Sequence, residues 1–242
     1  MTLPDPARLL DAWERGLHLP VQRRAVALLA ALTPDSSEAA IAALPLGVRD
    51  ALLLDLRVAL FGADLATVVA CPACGETLEA GFAVDDVRVA TPAAPVPPVA
   101  VTGYRIAYRP PASADLSAIP AGANAAQARA TLLARCVTVH DDAGNPRDIA
   151  TLPAAAVPAI VAGMAQADPQ AVVELKLDCS ACGHGFVAIL DIAAYLLREV
   201  HHWAERMLRD VDRLARAYHW READILALGP VRRALYLELV GG

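Results

Sequence analysis

The sequence predicts an α+β protein, and three features carry that reading. Helix-type apolar spacing fills the N-terminal stretch, two strand–turn–strand units each enclose a Cys-x-x-Cys-Gly turn, and a long amphipathic helix follows Asp191. The expected architecture is a set of N-terminal helices, a small β-sheet closed by the two cysteine knuckles, an α/β insertion, and a long C-terminal helix followed by a helical hairpin. In residue numbers, 1–64 form the N-terminal helical region. Residues 65–84 and 171–190 are the two knuckle halves, 85–170 the insertion with a proline-rich linker at 91–98, and 191–242 the C-terminal helical module.

The elements follow in chain order. Pro6 to Gly16 reads as a helix with Leu9, Leu10 and Trp13 on one face and Gly16 as its stop. Pro20 opens a second helix that runs through Leu32. Asp35-Ser36-Ser37-Glu38 offers capping chemistry for a third, and Pro45 starts a fourth that ends near Phe61-Gly62. Leu65 to Ala70 and Val172 to Leu177 read as strands ahead of the knuckles, and Leu78 to Val84 and Phe186 to Leu190 as strands behind them. Within the insertion, Val99-Ala100-Val101 and Tyr104 to Arg109 read as a hairpin or two short strands. Ala123 to Cys136 is a helix, Val137 to His140 a strand leading into the Asp141 to Asn145 turn, and Ala154 to Ala167 a helix stopped by Asp168-Pro169.

Cys71-Pro72-Ala73-Cys74-Gly75 and Cys179-Ser180-Ala181-Cys182-Gly183 use four of the five cysteines. Two thiolates at that spacing reach one metal ion, and glycine lets the chain turn back toward the sulfurs. Two such turns supply Cys71, Cys74, Cys179 and Cys182 as a closed four-cysteine set, the chemistry of a structural zinc ion and of a split zinc ribbon. A closed set leaves no position for water, which points to scaffolding rather than catalysis. About 100 residues separate Cys74 from Cys179, far more than in a compact ribbon. The matching strand–knuckle–strand context of each half supports joint binding. A disulfide, a redox dithiol and two pairs that no longer hold metal are the alternatives. Cys136 sits among apolar residues and reads as a buried, inert thiol.

Composition narrows the function classes. The 242 residues carry a formal net charge of −6, and 56% are hydrophobic. The mean hydropathy is +0.40, raised largely by alanine. No run of eighteen apolar residues lacks a charge, so no membrane span is expected. The opening residues lack the basic and apolar regions of a signal peptide, which suggests a cytoplasmic protein with reduced cysteines. No arginine or lysine stripe stands out, which argues against nucleic acid, the alternative function for a zinc ribbon. The nucleotide-binding, metalloprotease and hydrolase motifs are absent, so no enzyme is expected. Adjacent His201 and His202 point about 100° apart on a helix and read as solvated or interface residues. Asp85-Asp86 and Asp141-Asp142 read as turn and cap residues.

The helix after Asp191 places Ile192, Leu196, Val200, Trp203, Met207, Val211, Leu214 and Tyr218 on one face. This is an eleven-residue repeat of about 3.67 residues per turn, and the helix is roughly 40 Å long at ~1.5 Å per residue. Such a helix outruns a small α/β core, so its far end is expected to dock on a partner. A short helix stopped by Gly229-Pro230 and a last helix follow. Trp220, Ile225, Leu228, Leu235 and Leu239 are expected to cluster there, with Arg232 and Arg233 outside. Trp203, Trp220, Arg232, Arg233 and Tyr236 are the candidate partner-binding residues, since Trp, Tyr and Arg dominate many interfaces.

The residues Leu214-Ala215, Tyr218-His219-Trp220, Glu222, Asp224-Ile225-Leu226, Leu228, Arg232-Arg233 and Tyr236-Leu237-Glu238-Leu239 form a pattern. It resembles the C-terminus of baseplate proteins of T4-type contractile tails and of extracellular contractile injection systems, the T4-family baseplate hub assembly chaperones. The two knuckles also resemble the layout of the injection-system members. This resemblance implies a structural or assembly role in a phage-tail-like particle. It also implies partners among the hub, spike or tape-measure proteins.

Overall fold

A computed structural model describes residues 5–33, 35–90 and 99–241. The linker expected at 91–98 lies outside the described residues. Four helices open the chain: α1 (Pro6–Leu17), α2 (Val21–Leu32), α3 (Glu38–Ala43) and α4 (Leu46–Phe61). Local chemistry sets their ends. The Asp5 carboxylate accepts from the Ala7 N–H, and Ser37 Oγ accepts from the Ala40 N–H. Gly62, at φ 88°, ends α4 in a conformation that suits glycine. The hairpin of β1 (Asp64–Ala70) and β2 (Thr77–Ala83) follows, then a single turn, α5 (Val84–Val87).

The middle of the chain supplies β3 (Tyr104–Tyr108), α6 (Ser113–Leu116), α7 (Ala125–Cys136), β4 (Val137–Asp141), β5 (Pro146–Arg147) and α8 (Ala156–Ala167). A second hairpin, β6 (Val173–Asp178) and β7 (Gly185–Leu190), leads into α9 (Ile192–Tyr218), α10 (Glu222–Leu226) and α11 (Pro230–Gly241). Two corrections concern the strands. The knuckle strands do not share one sheet: β1–β2 and β6–β7 are separate two-stranded hairpins. β3 pairs with β4, more than thirty residues on, while Val101 makes only one bridge to Tyr104. Pairing with β4 buries Ile106 against Val139, which the short 99–101 segment cannot do for a whole strand.

The main core lies where α1, α2, α4 and α9 meet. Leu9, Leu28, Leu53, Leu56, Leu196 and Val200 are buried there, and Leu65 and Phe82 of the first hairpin pack against them. The second hairpin contributes Val173, Leu175 and Leu190 to the same core. Its alternating burial fits one face turned inward and one to solvent. The phenol of Tyr195 fastens β1 to α9: it accepts from the Ala66 N–H and donates to the Ala66 carbonyl. Arg57, buried under α9, donates to both carboxylate oxygens of Glu199 at 3.1 and 3.0 Å, and to the Gly62 carbonyl. That arginine therefore joins the end of α4 to the long helix.

A second buried cluster holds Cys136, Val137, Val139, Ile160 and Met164, with Tyr104, Ile106 and Tyr108 against it. Polar contacts link this part of the chain to α4. The Asp168 carboxylate accepts from the Gly47 N–H at 2.8 Å, and the Leu46 N–H donates to the Pro111 carbonyl. Arg49 donates to Asp50 and to Ser113. A Cβ on Gly47 would meet Asp168 Oδ1 at 2.2 Å, so the approach requires glycine. Asp115 is buried and accepts from Arg109, Arg135 and the Ala112 N–H, and the Cys136 thiol lies 3.6 Å from it. The Arg109 guanidinium foremost holds the Asp115 carboxyl well below the usual carboxylate range.

A third small cluster, Leu10, Ala204, Met207 and Leu226, seats the C-terminal helices on α1 and α9. No helix among the described residues is long and apolar enough to cross a membrane.

Two expectations follow from this packing. Leu53, fully buried in the main core, should cost about 2–5 kcal/mol when changed to alanine, read from chemical denaturation. Asp50 carries a pH signature. Burial raises its carboxyl to about 6, and Arg49 only partly opposes the rise. The folded state thus holds this proton to higher pH than the unfolded chain, so stability increases as pH falls from about 6 toward 3.8. Asp50→Asn should flatten the denaturation midpoint across that window. An unchanged slope would show that Asp50 does not set it.

Candidate metal centre

Each knuckle begins where a strand runs out of pairing. In the first, the Cys71 N–H donates to the Glu76 carbonyl at 2.8 Å, and the Gly75 N–H donates to the Cys71 carbonyl at 2.9 Å. In the second, the Cys179 N–H donates to the His184 carbonyl at 3.0 Å, and the Gly183 N–H to the Cys179 carbonyl at 2.8 Å. Gly75 and Gly183 take φ of 77° and 72°, where other residues are strained. The two turns are the same turn, made twice.

The hairpins bring the turns face to face. Cys71 Sγ lies 3.8 Å from Cys182 Sγ, and Cys74 Sγ lies 3.6 Å from Cys179 Sγ. All four sulfurs lie within 4.8 Å of one another. Each close contact crosses from one knuckle to the other, so the chain folds the four expected ligands into one site. A disulfide needs sulfurs about 2.0 Å apart, and all four thiols are free. A tetrahedral ion with bonds of ~2.3 Å needs sulfurs about 3.8 Å apart, and the two contacts that cross between the knuckles are at or near that distance. Cys71 and Cys179 are buried and Cys74 and Cys182 exposed, so the site sits at the outer end of both hairpins.

Electrostatics favour a cation at this point. Burial resists ionisation of the Cys71 thiol, but the Cys74 and Ala73 amides and the neighbouring thiols bring it down to about 7. The Glu76 amide favours the Cys74 thiolate, yet the Cys182 thiol, burial and the remaining thiols push that group up to about 12. One thiolate forms readily, and each further one meets a negative neighbour. A bound cation removes that conflict. The four cysteines can therefore hold a metal ion, and the soft sulfur donors suit a closed site.

His184 stacks on Phe186 instead of joining the cluster. Cys136 is remote from the four, buried beside Asp115, and burial raises its thiol. His201 accepts the indole N–H of Trp13 at 3.1 Å and lies 3.4 Å from Glu205.

The other candidate residues lie in the C-terminal helices. Trp203 is half-buried and packs between the main core and the Leu10 cluster. Trp220 stacks on Tyr218 at 4.8 Å and meets Tyr236 edge-on at 4.9 Å. Arg232 is exposed, as expected. Arg233 is not: its side chain is 13% exposed, and Nε lies 3.8 Å from Asp210 on α9. The expected hairpin cluster also changes. Ile225 is buried, but Leu235 and Leu239 are 54% and 72% exposed, together with Val231 at 72%. Tyr236 of α11 turns inward onto Tyr218 and Trp220, and the apolar positions spaced by four turn outward. That spacing was readable in the sequence, but not which face the aromatics would claim.

Hairpins that meet at a cysteine cluster and lie on a helical scaffold define a class of small α+β protein with a candidate metal centre. Residues 23–196 match the family described as T4 bacteriophage base plate protein, and the chain belongs to that family. No curated protein and no solved structure gives a match. The matched region runs from α2 to the first turn of α9 and includes both knuckles. It leaves out Leu214 to Val240, the other stretch that carried the sequence resemblance.

Serine in place of Cys71 or Cys179 should abolish retention of a metal ion by the purified chain, whereas Cys136→Ser should leave the metal content unchanged. Elemental analysis of the three variants reads the difference. Equal metal in all three would separate the cluster from metal binding.

Proposed function

We propose that this protein is a non-enzymatic structural or assembly-chaperone component of the baseplate of a phage-tail-like contractile particle, put together in the cytoplasm. In it, Cys71, Cys74, Cys179 and Cys182 hold one structural zinc ion. Membership of the base plate family carries the assignment, and the closed four-sulfur geometry agrees with a scaffolding role. Zinc supplies a cross-link between two hairpins far apart in sequence, and its binding free energy adds to folding. Residues 85–170 act as a semi-independent insertion whose ends that cross-link holds together.

The helical end, residues 203–240, is the principal docking element for other baseplate or tail proteins of the hub, spike or tape-measure region. The support is the outward face of α11, where Val231, Leu235 and Leu239 stand exposed in a row beside Arg232. An apolar row at i, i+4 and i+8 is the form in which a helix enters a partner's groove. Trp220 and Tyr236 support that face from beneath by holding α11 in place.

Purified chain should contain one zinc ion per molecule, and chelation should lower the thermal midpoint. A different metal, or none, sinks the zinc assignment. The docking reading is tested by L235E/L239E with co-expressed baseplate proteins. Both leucines are exposed, so the variant should melt like the parent while losing most of its co-purification. Full co-purification of this variant would leave α11 as a structural cap.

A further inference from the structure

A pocket of about 340 Å³ opens between α9 and α11, lined by Trp203, Arg206, Met207, Arg209, Asp210, Arg213 and Arg233. Four of the seven lining residues are arginines and one is acidic, in a chain of net charge −6. Three of the four share one face of α9, a stripe that the sequence reading passed over, and α11 supplies the fourth. Arg206, Arg209 and Arg213 are spaced by three and four residues on α9, and Arg233 comes from α11. Like charges at that spacing weaken a helix. The single carboxylate, Asp210, is 3.8 Å from Arg233 Nε. Arg233 Nη1 is buried and has no hydrogen-bond acceptor among the described residues. A buried, unmatched donor is costly unless something accepts from it.

We propose that this pocket binds carboxylate side chains of an acidic segment of a partner protein. Arginine forks pair with carboxylates through two parallel hydrogen bonds. Arg206, Arg209 and Arg213 are exposed and reachable, while Met207 is buried and Trp203 half-buried, giving an apolar floor under a cationic rim. That combination fits glutamate, whose aliphatic stem lies on the floor as its carboxylate meets the rim. Nucleic acid fits less well. A strand needs a cationic groove that follows its backbone and aromatic faces for its bases. This site is a short pocket whose one aromatic residue packs into the core. The partner's being a baseplate protein rests on the proposed function, but the carboxylate chemistry does not.

The test uses the purified full-length chain and a fluorescein-labelled hexaglutamate peptide, read by fluorescence anisotropy. Saturable binding should weaken with salt, as for charge pairing at a surface. R209Q/R213Q should weaken it at least tenfold with no loss of thermal stability. R23Q/R129Q, which removes the same charge from exposed positions elsewhere, should leave it unchanged. Equal loss in both double variants, or no saturable binding by the parent, overturns the proposal. So does tighter, pocket-dependent binding of a single-stranded oligonucleotide, or full displacement of the peptide by equimolar inorganic phosphate. The L235E/L239E co-purification scores the docking reading separately, because the peptide assay contains no baseplate protein.

Discussion

Two hairpins meet at four sulfurs because both are laid on one helical core. Neither β1–β2 nor β6–β7 is large enough to stand alone, since a lone two-stranded hairpin is marginal in water. Each gains a partner surface only by lying on the α1, α2, α4 and α9 core through Leu65, Phe82, Leu175 and Leu190. That placement brings Cys71 to Cys182 and Cys74 to Cys179 across the gap. The core positions the sulfurs, and a cation held by them would hold the core's two distant strand pairs together in return. Closing so long a loop costs entropy that helical packing alone must otherwise offset.

Polar groups make the second set of connections, and they are placed where helices end. Asp168 meets an early amide of α4 through Gly47, Arg57 meets its last turn through Gly62, and Tyr195 holds the edge of β1. Each satisfies a backbone group that secondary structure leaves open. Asp50 and Asp115 show what burial does in two surroundings. One has a single arginine partner and is pushed up, while the other has two arginines and an amide and is held low.

Residues 197–241, beyond the span matched to the base plate family, carry both an outward apolar row and an arginine-lined pocket. His219, at φ 55°, turns the chain back after α9, so α10 and α11 are folded against the long helix instead of extending it. A helix that looked too long for its core is thus partly covered by its own chain, and the exposed apolar row lies on α11.

Much of the architecture was legible residue by residue. Helix ends could be placed from Pro6, Ser37, Gly62 and Asp191, because capping acts within a few residues of the chain. The knuckles were legible for the same reason: Cys-x-x-Cys-Gly specifies its own turn. Strand periodicity placed the hairpins, yet it could not assign β3 to β4, since pairing is settled by which apolar faces meet. Nor could spacing show that Arg233 would turn inward while Leu235 and Leu239 turned out. On α11 either Tyr236 or the leucine row could have faced inward, and the choice fell to the contacts of Tyr236 with Tyr218 and Trp220. Short-range chemistry made the elements and the candidate metal ligands readable from the chain alone. Which distant surfaces share a core, and so which side chains stay exposed, waited on the folded whole, because burial is settled by the entire chain at once.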